Sequence, residues 1–104
     1  VAQAPDRHDA ERLAADLAVL AEPHRLMVLA ELRRGPRTAG WLAEATGMAP
    51  SLASHHLSVL LRAGMVARTR EGSFVRYTAS RERLAEVQQR LAAMLRPGRQ
   101  RDSG

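Results

Sequence analysis

The chain has 104 residues, enough for one domain around one core, and 45% of them are apolar. It contains no cysteine, which excludes disulfides, thiolate metal sites and thiol redox sensing. Its formal charge of +5 and isoelectric point near 11.4 point to an anionic partner such as nucleic acid.

All sixteen basic residues are arginine, as a GC-rich coding sequence would produce, so their positions say more than their number. Residues 1–22 carry two arginines against five carboxylates, a sum of −3, whereas residues 62–83 sum to +4. No apolar run approaches the roughly 20 residues of a membrane span, and the first residues lack a signal-peptide layout. A soluble cytoplasmic protein with no membrane partner is the expectation.

An N-terminal arm is expected over residues 1–8. Leu13, Leu17 and Leu20 then recur at helical spacing and predict an amphipathic helix over residues 9–21. Pro23 suits the first turn of a second helix, carried by Leu26, Val28, Leu29 and Leu32 to the stop at Gly35-Pro36. Thr38 is placed to cap a short third helix through Thr46, closed by Gly47. Pro50 opens a fourth helix that runs to Ala63-Gly64. The small Ala43, four residues before Gly47, lets two helices cross closely, so residues 38–63 read as a helix-turn-helix.

The period then changes from helical to alternating. "MVARTR" and "SFVRYT", joined at Glu71-Gly72, predict a hairpin within residues 65–78. Ser80 caps a last helix over residues 81–96, with Leu84, Val87, Leu91 and Leu95 on one stripe and Pro97-Gly98 as its stop. Residues 97–104 read as a flexible tail. The fold class is therefore mainly α (α+β), in the order α-α-α-α-β-β-α. A helix-turn-helix followed by a basic hairpin is a winged helix, here a single domain over residues 9–96.

Placing residues 50–63 at about 100° each separates two faces of the fourth helix. Ala53, Leu57, Leu60 and Leu61 form the side to be buried. Ser51, His55, Ser58 and Arg62 lie opposite, with Ser54 beside them. His56 falls between the faces, so it diverges from His55 and suits packing or hydrogen bonding rather than a shared ion. Short hydroxyls and longer donors on one face are what a recognition helix offers to base edges and phosphates. Arg68, Arg70 and Arg76 on the hairpin would meet flanking phosphates or a minor groove.

The stretches "LAEPHRLMVLAEL", "LAEATGMAPSLASHHLSVLLRAGMV" and "REGSFVRYT" resemble the ArsR/SmtB family of winged-helix regulators over about residues 13–80. The resemblance implies a homodimer on an inverted-repeat operator in double-stranded DNA, acting in transcription regulation, most often as a repressor. It adds Thr38 to the DNA-facing set and places the dimer interface on the first and last helices, through Leu13, Leu17, Leu20, Leu84, Val87, Leu91 and Leu95. Three departures stand out. The family's Cys-x-Cys positions are Thr38 and Gly40, residues 81–96 hold no His or Asp for a last-helix zinc site, and the usual hydroxyl cap of the recognition helix is Ala49.

Nitrogen and oxygen donors remain. His8, Asp9 and Glu11, or else His24, suit a borderline ion such as Ni²⁺ or Zn²⁺, and the same acids also suit a helix start. Without such a site the signal would come from a separate sensor protein or another ligand. An enzyme is not expected, because no phosphate loop, nucleophile motif or carboxylate pair is present. The alternative function is a winged-helix module for protein interaction or RNA binding, the latter disfavoured because Trp41, Phe74 and Tyr77 form no stacking platform in sequence.

Overall fold

Asp6 caps the first helix. In the computed structural model, which describes residues 6–97, its carboxylate accepts a hydrogen bond from the His8 amide at 3.2 Å and caps helix α1, Arg7–Leu20. The helix thus begins two residues before the expected start. Residues 1–5 of the expected arm and 98–104 of the expected tail lie outside the described residues. Glu22 caps α2, Pro23–Leu32, by accepting from the Arg25 amide at 3.0 Å, and Pro23 takes the first turn, where its missing N–H costs nothing.

A strand follows that periodicity does not reveal. β1 is only Arg37–Thr38, and it exists because β3 lies beside it, pairing Arg37 with Tyr77 and Thr38 with Arg76. Thr38 then caps α3, Ala39–Thr46, accepting from the Trp41 amide at 3.1 Å. Gly47 closes that helix at φ 73°, a left-handed conformation that disfavours a side chain, and the Met48 amide donates to the Ala43 carbonyl at 2.9 Å. Helix α4, Pro50–Arg62, begins at Ala49 with no side-chain cap.

Strands β2, Val66–Glu71, and β3, Phe74–Ala79, form an antiparallel hairpin, and the three-stranded sheet has the order β1-β3-β2. Its loop is Gly72-Ser73, one residue later than expected, because Glu71 pairs with Phe74. Gly72 takes φ +62°, as the first position of a type II′ turn asks. Ser80 caps α5, Arg81–Leu95, through the Arg83 amide at 3.2 Å. The observed order is α-α-β-α-α-β-β-α, a winged helix-turn-helix with a minimal third strand.

One core joins every helix to the base of the hairpin. Val28, Leu42, Leu57, Leu60, Met65 and Val87 are the largest fully buried side chains, each contributing about 1.5–3 kcal/mol of hydrophobic stabilisation. Ala43 is buried where α3 crosses α4. No helix of the described residues is long and apolar enough to cross a membrane.

Within the single chain the expected dimer stripe divides by burial. Leu13 (3% exposed) and Val87 (1%) lie inside the core of the single chain. Leu17, Leu20, Leu84 and Leu91 are half-buried against that core, and only Leu95, at 71%, stands out. The cause is that α1 and α5 pack on each other within the chain. Asp16 of α1 locks the pair, accepting from Arg83 at 2.7 Å and from Arg90 at 2.8 Å. Burial raises the Asp16 carboxyl, but hydrogen bonds and charge from Arg90 and Arg83 outweigh it and hold it below its ordinary value.

Candidate nucleic-acid interface

From Gly47 to Arg70 the chain has no acidic residue, and this stretch contains α4 and most of β2. The apolar positions of α4 dock it on the core through Ala53, Leu57 and Leu60, which turns Ser51, Ser54 and His55 to solvent. Arg62 is exposed as well and donates from Nη1 to the Ser58 hydroxyl at 3.3 Å, leaving that hydroxyl's own proton free. Five sequence-predicted residues therefore share one outward face, with Ser58 half-buried at its edge.

Strand pairing divides the other predicted residues into two rows. Side chains directly opposite across a ladder share a face. Arg37, Tyr77 and Arg68 make one row, and Arg70 opposite Val75 continues it on the same face. Thr38, Arg76 and Thr69 make a row on the opposite face. The three wing arginines thus do not act as one set.

Arg68 and Arg70 are exposed, and neither makes an ion pair among the described residues. Arg76 is different: its Nε donates to Glu71 at 2.9 Å and its guanidinium lies 5.7 Å from the Phe74 ring. Thr38 spends its oxygen on the α3 cap but keeps its hydroxyl proton for an outside acceptor. Arg37, which the sequence reading passes over, lies 4.4 Å from the Trp41 ring in the row of Arg68. Guanidiniums therefore sit over the two exposed aromatics, an arrangement unlike an open platform for stacked bases.

Behind α4 lies a polar network. His56 is 5% exposed, buried between α4 and the start of α2. Arg25 Nη1 is 3.1 Å from His56 Nδ1, and since a guanidinium can only donate, Nδ1 must be the acceptor. The ring proton then sits on Nε2, which faces Glu22 at 3.9 Å. Arg25 also donates from Nε to the Val19 carbonyl at 2.6 Å, and His24 Nδ1 lies 3.3 Å from Glu22. Burial first, then the Arg25 charge and the neighbouring imidazoles, push the His56 pKa down against the pull of Glu22. Burial raises the Glu22 carboxyl, but hydrogen bonds from the Arg25 and His24 amides and the His24 ring leave it below its ordinary value.

The N-terminal donor set does not form in the chain. His8, Asp9 and Glu11 are all exposed; Asp9 diverges from His8 as a neighbour at i+1, and both carboxylates face arginines rather than the imidazole. Asp9 faces Arg12 at 3.7 Å and Glu11 faces Arg7 at 3.0 Å, while Asp9 and the Asp6 cap favour the positive end of α1. Among the described residues the one cluster of three such donors is Glu22, His24 and His56. Of these, sequence reading singles out His24 and the packing role of His56, but not Glu22 or Arg25. The run Glu22-Pro23-His24-Arg25 carries a legible helix-start signal, whereas its contact with His56, 31 residues beyond Arg25, does not.

Comparison with known proteins agrees with this geometry. Residues 22–68 match the family model described as "Bacterial regulatory protein, arsR family". The HTH-type transcriptional regulator NmtR of Mycobacterium tuberculosis is 40% identical over 82 residues, 79% of this chain and 68% of that protein. A probable mercury resistance operon repressor of Streptomyces lividans is 37% identical over 68 residues, covering 65% of this chain and 54% of that one. The solution structure of a homodimeric winged helix-turn-helix DNA-binding domain from Mycobacterium bovis aligns with a TM-score of 0.65 at 30% identity, over 99% of this chain and 100% of that one.

Proposed function

Because the chain belongs to the ArsR family of bacterial regulatory proteins, which are DNA-binding transcriptional regulators and not enzymes, we propose that it works as a homodimeric repressor on an inverted-repeat operator. Each protomer lays α4 in a major groove, with half-sites about 34–36 Å apart or a multiple of that. Ser51, Ser54 and His55 meet base edges, while Ser58, Arg62 and Thr38 hold phosphates. Arg68 and Arg70 reach the flanking backbone or minor groove, and Arg76 joins them to the extent that Glu71 releases it.

The observation that carries this reading is the acid-free outward face of α4 beside Arg68 and Arg70, which make no ion pair among the described residues. The homodimeric state of the Mycobacterium bovis domain and the repressor relative from Streptomyces lividans support dimerisation and repression. The proposed input is a borderline divalent ion such as Ni²⁺ or Zn²⁺, or else a separate sensor protein. Binding assays with duplex DNA, single-stranded RNA and an acidic protein, each across a salt series, test the reading. Duplex DNA is expected to bind most tightly and with a steep salt slope. Preference for the acidic protein would instead support a protein-interaction module.

A further inference from the structure

We propose that Glu22, His24 and His56 form a binding site for one borderline divalent cation, such as Zn²⁺ or Ni²⁺, that straps α2 to α4. One donor atom from each residue lies within 4.8 Å of the other two. The Glu22–His24 separation of 3.3 Å already matches the spacing of about 3.3 Å between ligands at bonds of about 2.0–2.1 Å around a tetrahedral ion. That contact uses Glu22 Oε2, whereas His56 Nε2 lies 3.9 Å from the other oxygen, Oε1, so closing on one ion takes both oxygens as ligands or a rotation of the carboxylate. Two imidazoles and one carboxylate suit zinc or nickel better than magnesium or calcium, which prefer all-oxygen shells. The two histidine rings stack 5.4 Å apart, and each has one nitrogen facing a Glu22 oxygen.

The site is connected to the DNA-facing helix by covalent structure. His56 belongs to α4, and its neighbour His55 lies on the exposed face of the same turn. Arg25 makes the connection two-state. A neutral imidazole bound to metal through Nε2 carries its proton on Nδ1, where Arg25 now donates. Two donors cannot share that contact, so the ion replaces the Arg25–His56 bond with its own tie between the helices. A cation that favours one arrangement of α4 changes operator affinity by that difference alone. The inference deepens the reading above and rests on it only for this effect at DNA; the site itself is a property of the free protein.

Titration of the free protein with Co²⁺, followed by its visible absorption, and with Zn²⁺ in competition tests the site directly. One ion per protomer is expected. His24→Ala is the main variant because that side chain is 40% exposed and its loss spares the core. It is expected to weaken binding by roughly tenfold or more, given that even loss of an outer-shell partner costs about 10–100-fold. Glu22→Gln keeps an oxygen for the α2 cap but loses the charge, and it is expected to weaken binding as well. His8→Ala with Asp9→Ala is expected to bind like wild type. Equal affinity in His24→Ala and wild type, or loss confined to the His8→Ala, Asp9→Ala protein, would overturn the site. An intact metal site in a protein that fails to bind any duplex DNA would uphold this inference while removing the DNA reading.

Discussion

Replacing Arg70 with Ala is the sharpest probe of how the wing meets DNA. The side chain is exposed, stands on the Arg68 face of the hairpin and makes no ion pair among the described residues, so its charge is free for phosphate. Each neutralised phosphate contributes about −0.9 to the slope of log affinity against log salt. A dimer loses two contacts, so the slope should flatten by about 1.8. Between about 50 and 200 mM salt the variant should therefore lose about 12-fold less affinity than wild type. Arg76→Ala should change the slope by less, because Glu71 at 2.9 Å already neutralises that guanidinium. Glu71→Gln should steepen it by freeing Arg76. Fluorescence anisotropy of a labelled duplex over a salt series reads all three. An Arg70→Ala slope equal to wild type, or a larger effect from Arg76→Ala, would refute the assignment of the two faces.

Three further outcomes follow from the packing. Ala49→Ser supplies the missing α4 cap in a backbone already extended at φ −63° and ψ 148°, and should add about 1 kcal/mol, or about 4–8 °C in melting temperature. Asp16→Asn should cost about 1–3 kcal/mol at neutral pH by leaving Arg90 without its anion and Arg83 with Glu86 alone, as read by urea unfolding. Since the Asp16 carboxyl is held below its ordinary value of 3.8, its contribution is present above about pH 4 and lost as pH falls through the folded-state pKa; the Asn variant should lack that part of the acid-side decline. Leu95→Asp should weaken self-association measured by sedimentation without lowering protomer stability, because this side chain is 71% exposed in the single chain.

Local signals made the helices legible. Thr38, Gly47 and Ser80 stand where capping chemistry needs them, and each performs the capping role expected of it. The faces of α4 were equally readable, since a helix repeats at fixed angle and the buried residues Ala53, Leu57 and Leu60 occupy one side. β1 was not readable, because two residues carry no period and Arg37–Thr38 becomes a strand only through its partners Tyr77 and Arg76. The leucine stripes left a related question open. Periodicity shows that Leu13 and Val87 face something apolar, but not whether that surface belongs to the same chain. Likewise, Glu22 and Arg25 look like ordinary helix-start residues until the fold brings His56 against them.

The central claim, that two copies of α4 read one operator, is tested most directly by titrating the protein onto a duplex from its own gene's upstream region in about 150 mM salt, beside a scrambled duplex of equal length and composition. Saturation at two protomers per site is predicted, with the upstream duplex bound at least about 10³-fold more tightly than the scrambled one. Equal affinity for both duplexes, or saturation at one protomer per site, would contradict it.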